Sequence, residues 1–434
     1  MAYVSSPWLG VGVLFAFSLI ARKLQGSWLA PSVFVGNAWS FFMALPLSLN
    51  EDHISAGAVW VVVALVFSFQ TGAILLEIPS RHGHVGKTLS PQTVRQLHQT
   101  CLKLSLVFGA IAVIGAFFYV GMWFRRLGLA SSFEGFTSLG SQMYSILLEG
   151  ENDPWWFRLL RMWIFPSALL GGFAAASTDK WPRKLMALFV FVPALLIGVA
   201  IASRYGTTLA VACWVSGYCG MKCFLTAGRY KFKRRVVGIA ILAVGALVVM
   251  YVGLGIVRGH KYLDDEAEIG VMVRGNLLGY LSVFDSYIQS REPRKLTWGT
   301  NTFSGLLEVV GAGERARALD YEEVILESGV YSNVYTAFRG LIQDFSIVGA
   351  LLLALVSGMV AGAGFTYACS GKSSAVWILA ACYVFVLWSP IVSAFNYNAV
   401  LLAVIVGAIT LRRYEDFVVS VSGSSGATVL LSES

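Results

Sequence analysis

The sequence predicts an all-α, polytopic membrane protein of about 11 transmembrane helices, and three observations carry that prediction. The 434-residue chain is 57% hydrophobic and only 13% charged, where a soluble domain averages about 25% charged residues. Its mean hydropathy is +0.70. Apolar runs long enough for a hydrocarbon core of about 30 Å recur along it, continuous rather than alternating as a barrel would require. Helix is then imposed, because lipid offers backbone groups no outside partner.

The elements follow in order. Residues 7–21 form a first apolar run ending at Arg22 and Lys23. No small-residue cleavage site follows, so it reads as a retained span rather than a signal peptide. Spans two and three are 28–46 and 56–76. A basic segment with Arg81, Lys87, Arg95 and Lys103 precedes span four at 104–123, with an amphipathic surface helix expected from Ser90. Spans five to eight are 156–176, 185–203, 205–221 and 236–256, with Arg204 between six and seven. A long polar interval, 257–345, comes next. Spans nine to eleven are 347–368, 376–388 and 395–411. The domain reading is one membrane unit over 1–417 and a Ser/Gly-rich tail, 418–434, expected to be disordered and cytoplasmic.

Charge orients the spans, since Lys and Arg are retained on the cytoplasmic side. With the amino terminus outside, inward connections carry 18 Lys and Arg against 5 Asp and Glu, and outward ones 14 against 19. The long interval 257–345 is then an outward loop. The six cysteines fall outside large outward loops, so no disulfide framework is expected. Cys219 and Cys223 share a helix face without further metal ligands nearby and read as small core residues. No internal repeat is visible, which weighs against carriers built from inverted halves.

Basic residues on the outward side are the informative ones. Arg125, Arg126, Arg158, Arg161, Arg204, Arg258 and Arg274 all fall near outward span ends. Each is either a structural ion pair or a guanidinium fork for an anionic ligand such as phosphate. Arg204, in a hairpin too short to leave the membrane, and Arg258, directly after span eight, rank first. Residues 331–345 read as a helix entering span nine. Asn333 and Asp344, eleven apart, would share a polar face with Thr336 and a Gly340 notch. Such a face suits a sugar or a phosphate, or else helix packing with Asn333 and Asp344 bonded to neighbours. Asp344 is the deepest acid. Tyr335 and Arg339 are placed to stack. Asn301-Thr302-Phe303, after Trp298-Gly299, reads as a polar turn with aromatic flanks, and Glu308 follows it.

The chain lacks a phosphate-cradling Gly loop, a Ser elbow and a paired Cys/His metal motif. Its inward loops are short, so the energy for any chemistry must arrive in the substrate. No cofactor and no metal are expected, and no nucleic-acid partner.

The layout, the arginines after spans six and eight, the run Trp298-Gly-Thr-Asn-Thr-Phe303 and the later Ser332-Asn-Val-Tyr-Thr336, Arg339, Asp344-Phe345 together resemble the O-antigen or oligosaccharide repeat-unit polymerases (Wzy-type). The resemblance is sharp over 297–349. It implies a GT-C-like, inverting, metal-independent glycosyltransferase of the bacterial inner membrane, with its active face in the periplasm. The implied substrate is an oligosaccharide on undecaprenyl diphosphate, passed to the next lipid-linked repeat unit. Membrane lipids, a chain-length regulator and a flippase are the implied neighbours. Carried onto this chain, Arg204 and Arg258 bind the diphosphate, with Arg274, Asn301, Thr302, Asn333, Tyr335 and Thr336 completing the substrate surface. Arg339 assists, and Asp344 or Glu308 is the base or orients the arginines. O-antigen ligases are similar but tend to carry His-Asn where this chain has Ser332-Asn333. The alternatives are therefore a ligase of the same architecture and a lipid-linked oligosaccharide flippase.

Overall fold

The computed structural model describes residues 6–49, 52–77, 90–129, 153–200, 204–230, 278–290, 295–312, 324–327 and 331–430, with isolated positions between 132 and 146, between 245 and 275, and at 329. Among these residues the protein is a helical bundle. Its helices are α1 (Pro7–Gln25), α2 (Pro31–Leu49), α3 (Ala56–Glu77), α4 (Pro91–Arg126), α5 (Trp155–Arg161), α6 (Ile164–Ala176) and α7 (Trp181–Met186). There follow α8 (Phe191–Ala200), α9 (Arg204–Leu225), α10 (Tyr280–Gln289), α11 (Ser304–Val309), α12 (Ala337–Cys369), α13 (Val376–Trp388) and α14 (Asn398–Leu430). A two-stranded antiparallel hairpin, β1 (Val324–Ile325) and β2 (Tyr331–Ser332), precedes α12.

Eight helical segments among the described residues are long and apolar enough to cross a membrane, taking α5 with α6 and α7 with α8. α13 with its leading turn is a shorter apolar helix, and α14 covers the expected eleventh span. The expected eighth span, 236–256, lies almost wholly outside the described residues.

Several boundaries differ from the sequence reading. Spans five and six are broken helices, interrupted at 162–163 and 187–190. Each restarts just before a proline, Pro166 and Pro193, which has no N–H to give and is tolerated in a first turn. The surface helix expected from Ser90 is instead one 36-residue helix with the fourth span, capped by Ser90 Oγ accepting from the Thr93 N–H at 3.1 Å. The helix expected from 331 begins only at Ala337. The last helix, α14, runs on past the expected eleventh span through residues 418–430.

Pro46, inside α2, denies the Phe42 carbonyl its helical donor, and the Tyr280 hydroxyl donates to that carbonyl instead. At the start of α3 the Asp285 carboxylate accepts from Ser55 N–H at 2.8 Å and from Ser55 Oγ, tying α10 to the α3 N-terminus. Two cores result. One gathers α4, α6, α9, α13 and α14. The other joins α2, α3 and α10 to the first turns of α12.

α3 and α12 meet backbone to backbone. A Cβ on Gly72 would overlap the Leu355 carbonyl, and one on Gly358 the Phe69 carbonyl. Small residues permit this approach, which dispersion then stabilises. Gly358→Val is expected to part these helices and destabilise the protein by about 1–3 kcal/mol. A lower unfolding temperature in detergent, against an unchanged Gly12→Ala control whose Cβ meets open space, checks this.

At one end the Tyr414 hydroxyl reaches Thr93 O (2.6 Å), His98 meets Ala174 O (2.9 Å), and Ser374 N–H donates to Glu415 (2.9 Å). Glu308 and, through Arg161, Asp153 belong to one cleft, and Asp344 to the turn at 297–303.

Candidate functional site

The turn at 297–303 is built around one carboxylate. Asp344 is completely buried. Its Oδ1 accepts from Thr297 Oγ1 (2.6 Å), Asn301 N–H (3.1 Å) and Asn301 Nδ2 (3.1 Å), and its Oδ2 from Thr302 N–H (2.7 Å). The Asp344 carbonyl accepts from Trp298 N–H at 3.2 Å. A carboxylate presents acceptor oxygens to both sides of the turn at once. The polar turn expected from the sequence is therefore present, and Asp344 is what shapes it. Backbone strain sits on both sides of the clasp: Trp298 has φ 50°, and Ser346 has φ 62° and ψ 174°. At Ser346 the backbone takes a form nearly reserved for glycine and separates α12 into a short outer piece and the span.

Three expected substrate residues and Arg339, expected to assist, meet at a narrow cleft. Asn301, Tyr335, Thr336 and Arg339 line it with Gly340 and Ser393. The Arg339 guanidinium lies 3.6 Å from the Tyr335 ring centroid and 5.1 Å from that of Tyr287. The expected Tyr335–Arg339 stack thus forms, although Tyr335 precedes the helix. Thr302 lies behind the cleft, its carbonyl accepting from Ser393 Oγ at 2.8 Å. Asn333 and Thr336 do not share a helical face with Asp344, because the chain from β2 to Thr336 is extended. That correction has a plain cause: Tyr331, Val334 and Tyr335 favour extended backbone, and β2 pairs with β1.

A second, roomier cleft of about 470 Å³ opens at the same end of the bundle. Its floor is apolar: Leu159, Met162, Phe165, Ala194, Ile197 and Ala399. Its polar groups are Arg158 and Arg161 of α5, Tyr205 at the start of α9, Glu308 of α11, and Tyr397 and Asn398 at the start of α14. Glu308 is exposed and accepts from Asn398 Nδ2 at 2.8 Å. Arg158 is exposed and pairs with no carboxylate among the described residues. Arg161 is bound to Asp153 at 3.0 Å. Tyr205 and Tyr397 pack together, ring centroids 4.4 Å apart. The N-terminus of α9, with Gly206, faces this cleft, so backbone N–H groups add to its positive potential.

The structure thus brings Glu308 together with Arg158 and Arg161, and leaves Asp344 outside both clefts as a buried clamp. Arg204 is described only by its backbone, as the first residue of α9. Arg258 and Arg274 lie outside the described residues. Arg158 and Arg161, named from the sequence among the outward arginines but not carried into the substrate surface, line the roomier cleft. Their i, i+3 spacing in Trp155-Trp-Phe-Arg158-Leu-Leu-Arg161 puts both on one face, which was the available signal. Nothing local marks Tyr205, Tyr397 or Asn398. Comparison with protein-family models, with curated proteins and with solved structures returns no match.

Proposed function

We propose that this protein is a membrane glycosyltransferase that moves an oligosaccharide from a polyprenyl diphosphate to the next lipid-linked repeat unit, on the periplasmic side of a bacterial inner membrane. One observation carries the reading: a cleft in a bundle of apolar helices, lined by apolar side chains with two arginines and a carboxylate among its polar groups. That combination fits a ligand with a hydrocarbon tail and a diphosphate head. The Tyr205–Tyr397 pair offers a flat wall for a sugar ring.

In this reading the acceptor hydroxyl oxygen attacks the anomeric carbon as the bond from that carbon to the phosphate oxygen breaks. The configuration inverts, and the polyprenyl diphosphate leaves with the bonding pair. Arg158 and Arg161 neutralise that leaving group, so stabilisation grows as charge develops. Glu308 takes the acceptor proton. Asp344 shapes the turn that leads into α11 and so sets where Glu308 stands. A carrier reading is less well supported. The buried acids among the described residues are Asp52, Asp285 and Asp344, of which Asp285 binds Ser55 and Asp344 clasps the 297–303 turn, so both are engaged structurally.

The test is electrophoresis of surface glycan from a strain lacking the gene, complemented with variants. Deletion is expected to leave a single-repeat band, and loss of every attached repeat would mean ligase or flippase. Arg158→Ala combined with Arg161→Ala is expected to lower chain extension by about 10²–10³ or more at normal protein level. A wild-type ladder from that variant would refute the site.

A further inference from the structure

We propose that Asp153, itself held by Tyr119, is a positioning residue that fixes the Arg161 fork toward the anionic head of the substrate. This rests on the reading of the cleft as a diphosphate site. Asp153 has 9% of its side chain exposed and divides its oxygens between two partners. Oδ1 accepts from the Tyr119 hydroxyl, and Oδ2 accepts from Arg161 Nη1 at 3.0 Å. The Tyr119 ring stacks on Phe157, centroids 3.5 Å apart and 7° from parallel. The Arg161 guanidinium lies 5.3 Å from that same Phe157 ring. Arg161 is therefore held by a carboxylate at one nitrogen and bordered by an aromatic ring, while its side chain lines the cleft and is 36% exposed.

A guanidinium has five N–H donors in a rigid plane. Occupying Nη1 on the Asp153 side orients the remaining donors without using them. Arg158 has no such anchor among the described residues, so the two arginines differ in kind. Arg161 is a pre-set fork, and Arg158 supplies mobile charge. Pre-setting lowers the rotamer entropy lost on binding.

Two physical accounts of Asp153 predict opposite signs. As a mere neighbouring charge, Asp153 repels an anion, and removing it tightens binding. As a positioning group, removing its charge frees Arg161, and binding weakens although the cleft gains net positive charge. The measurement is calorimetric titration of farnesyl diphosphate into the detergent-solubilised full chain, beside an unfolding temperature for each variant. Asp153→Asn is expected to weaken binding about tenfold, the weight of one charge-assisted hydrogen bond. Tyr119→Phe, which removes one hydroxyl and keeps the ring stack, is expected to weaken it severalfold with an unchanged unfolding temperature. Arg161→Lys, which keeps the charge and loses the fork, is expected to match Asp153→Asn. Unchanged or tighter binding by Asp153→Asn overturns the proposal. Should that variant unfold, unchanged binding by Tyr119→Phe overturns it instead. If wild type binds and Arg158→Ala weakens binding while the Asp153 and Tyr119 variants do not, only the positioning role fails. If wild type binds no farnesyl diphosphate, the diphosphate reading of the cleft fails with it.

Discussion

Glu308→Gln is expected to slow glycan transfer by about 10²–10⁴ without weakening binding of a lipid diphosphate and with the unfolding temperature unchanged. The reason is environment. Glu308 is exposed to the roomy cleft, and its one hydrogen bond among the described residues, from Asn398, leaves lone pairs for an incoming hydroxyl. Its helix is rigidly seated: a Cβ on Gly305 would stand 2.6 Å from Asn398 Oδ1 and 2.8 Å from the Phe395 carbonyl. The amide of glutamine keeps the shape and the Asn398 contact but cannot take a proton. Single-turnover transfer with a lipid-linked oligosaccharide measures the step directly. Wild-type turnover by Glu308→Gln would remove it from the chemistry and return the search to groups outside the described residues.

The membrane architecture was legible because it depends on local composition. A run such as 56–76 leaves the chain no choice but helix in lipid. The breaks were less legible, although Pro166 and Pro193 marked both. The closing segment misled because an eleven-residue spacing fits three helical turns whether or not the helix exists. Asn333 and Asp344 satisfy that spacing and yet sit on different structures, one in extended chain and one in α12. Nor did the sequence disclose Ser346, a non-glycine in a glycine-like conformation. The sites were legible in proportion to their locality. Arg158 and Arg161 are a turn apart, and Tyr335 and Arg339 are near neighbours that do stack. Glu308 meets Asn398 across 90 positions, and Asp344 meets Thr302 across 42. Partnerships at that distance are properties of the packed bundle and leave no trace in spacing.

Asp344→Ala is expected to cost stability rather than chemistry, by about 3–5 kcal/mol, because each donor stranded by the lost carboxylate is buried or partly buried and costs about 1–3 kcal/mol. The donors at stake are Thr297 Oγ1, Asn301 N–H and Thr302 N–H, whereas Asn301 Nδ2 keeps Thr297 Oγ1 at 2.7 Å. Asp344→Asn fares only somewhat better. Its single carbonyl oxygen can serve one side of the clasp, but its NH₂ must then face a donor on the other. With the oxygen toward Thr297 and Asn301, the NH₂ meets the Thr302 N–H; turned round, it can give to the Thr297 hydroxyl but meets the Asn301 N–H. Released from this clasp, the strained Trp298 and Ser346 keep only main-chain bonds such as Trp298 N–H to the residue 344 carbonyl, so the turn loosens and α11 with it. Thermal unfolding in detergent, together with protease cutting within 297–303, reads both effects. Loss of transfer from Asp344→Ala should therefore come with a cut turn and a lowered unfolding temperature, whereas Glu308→Gln loses transfer with the turn intact. An Asp344→Ala protein that resists protease and unfolds like wild type, yet cannot transfer, would make Asp344 a participant in the reaction and reverse the two roles.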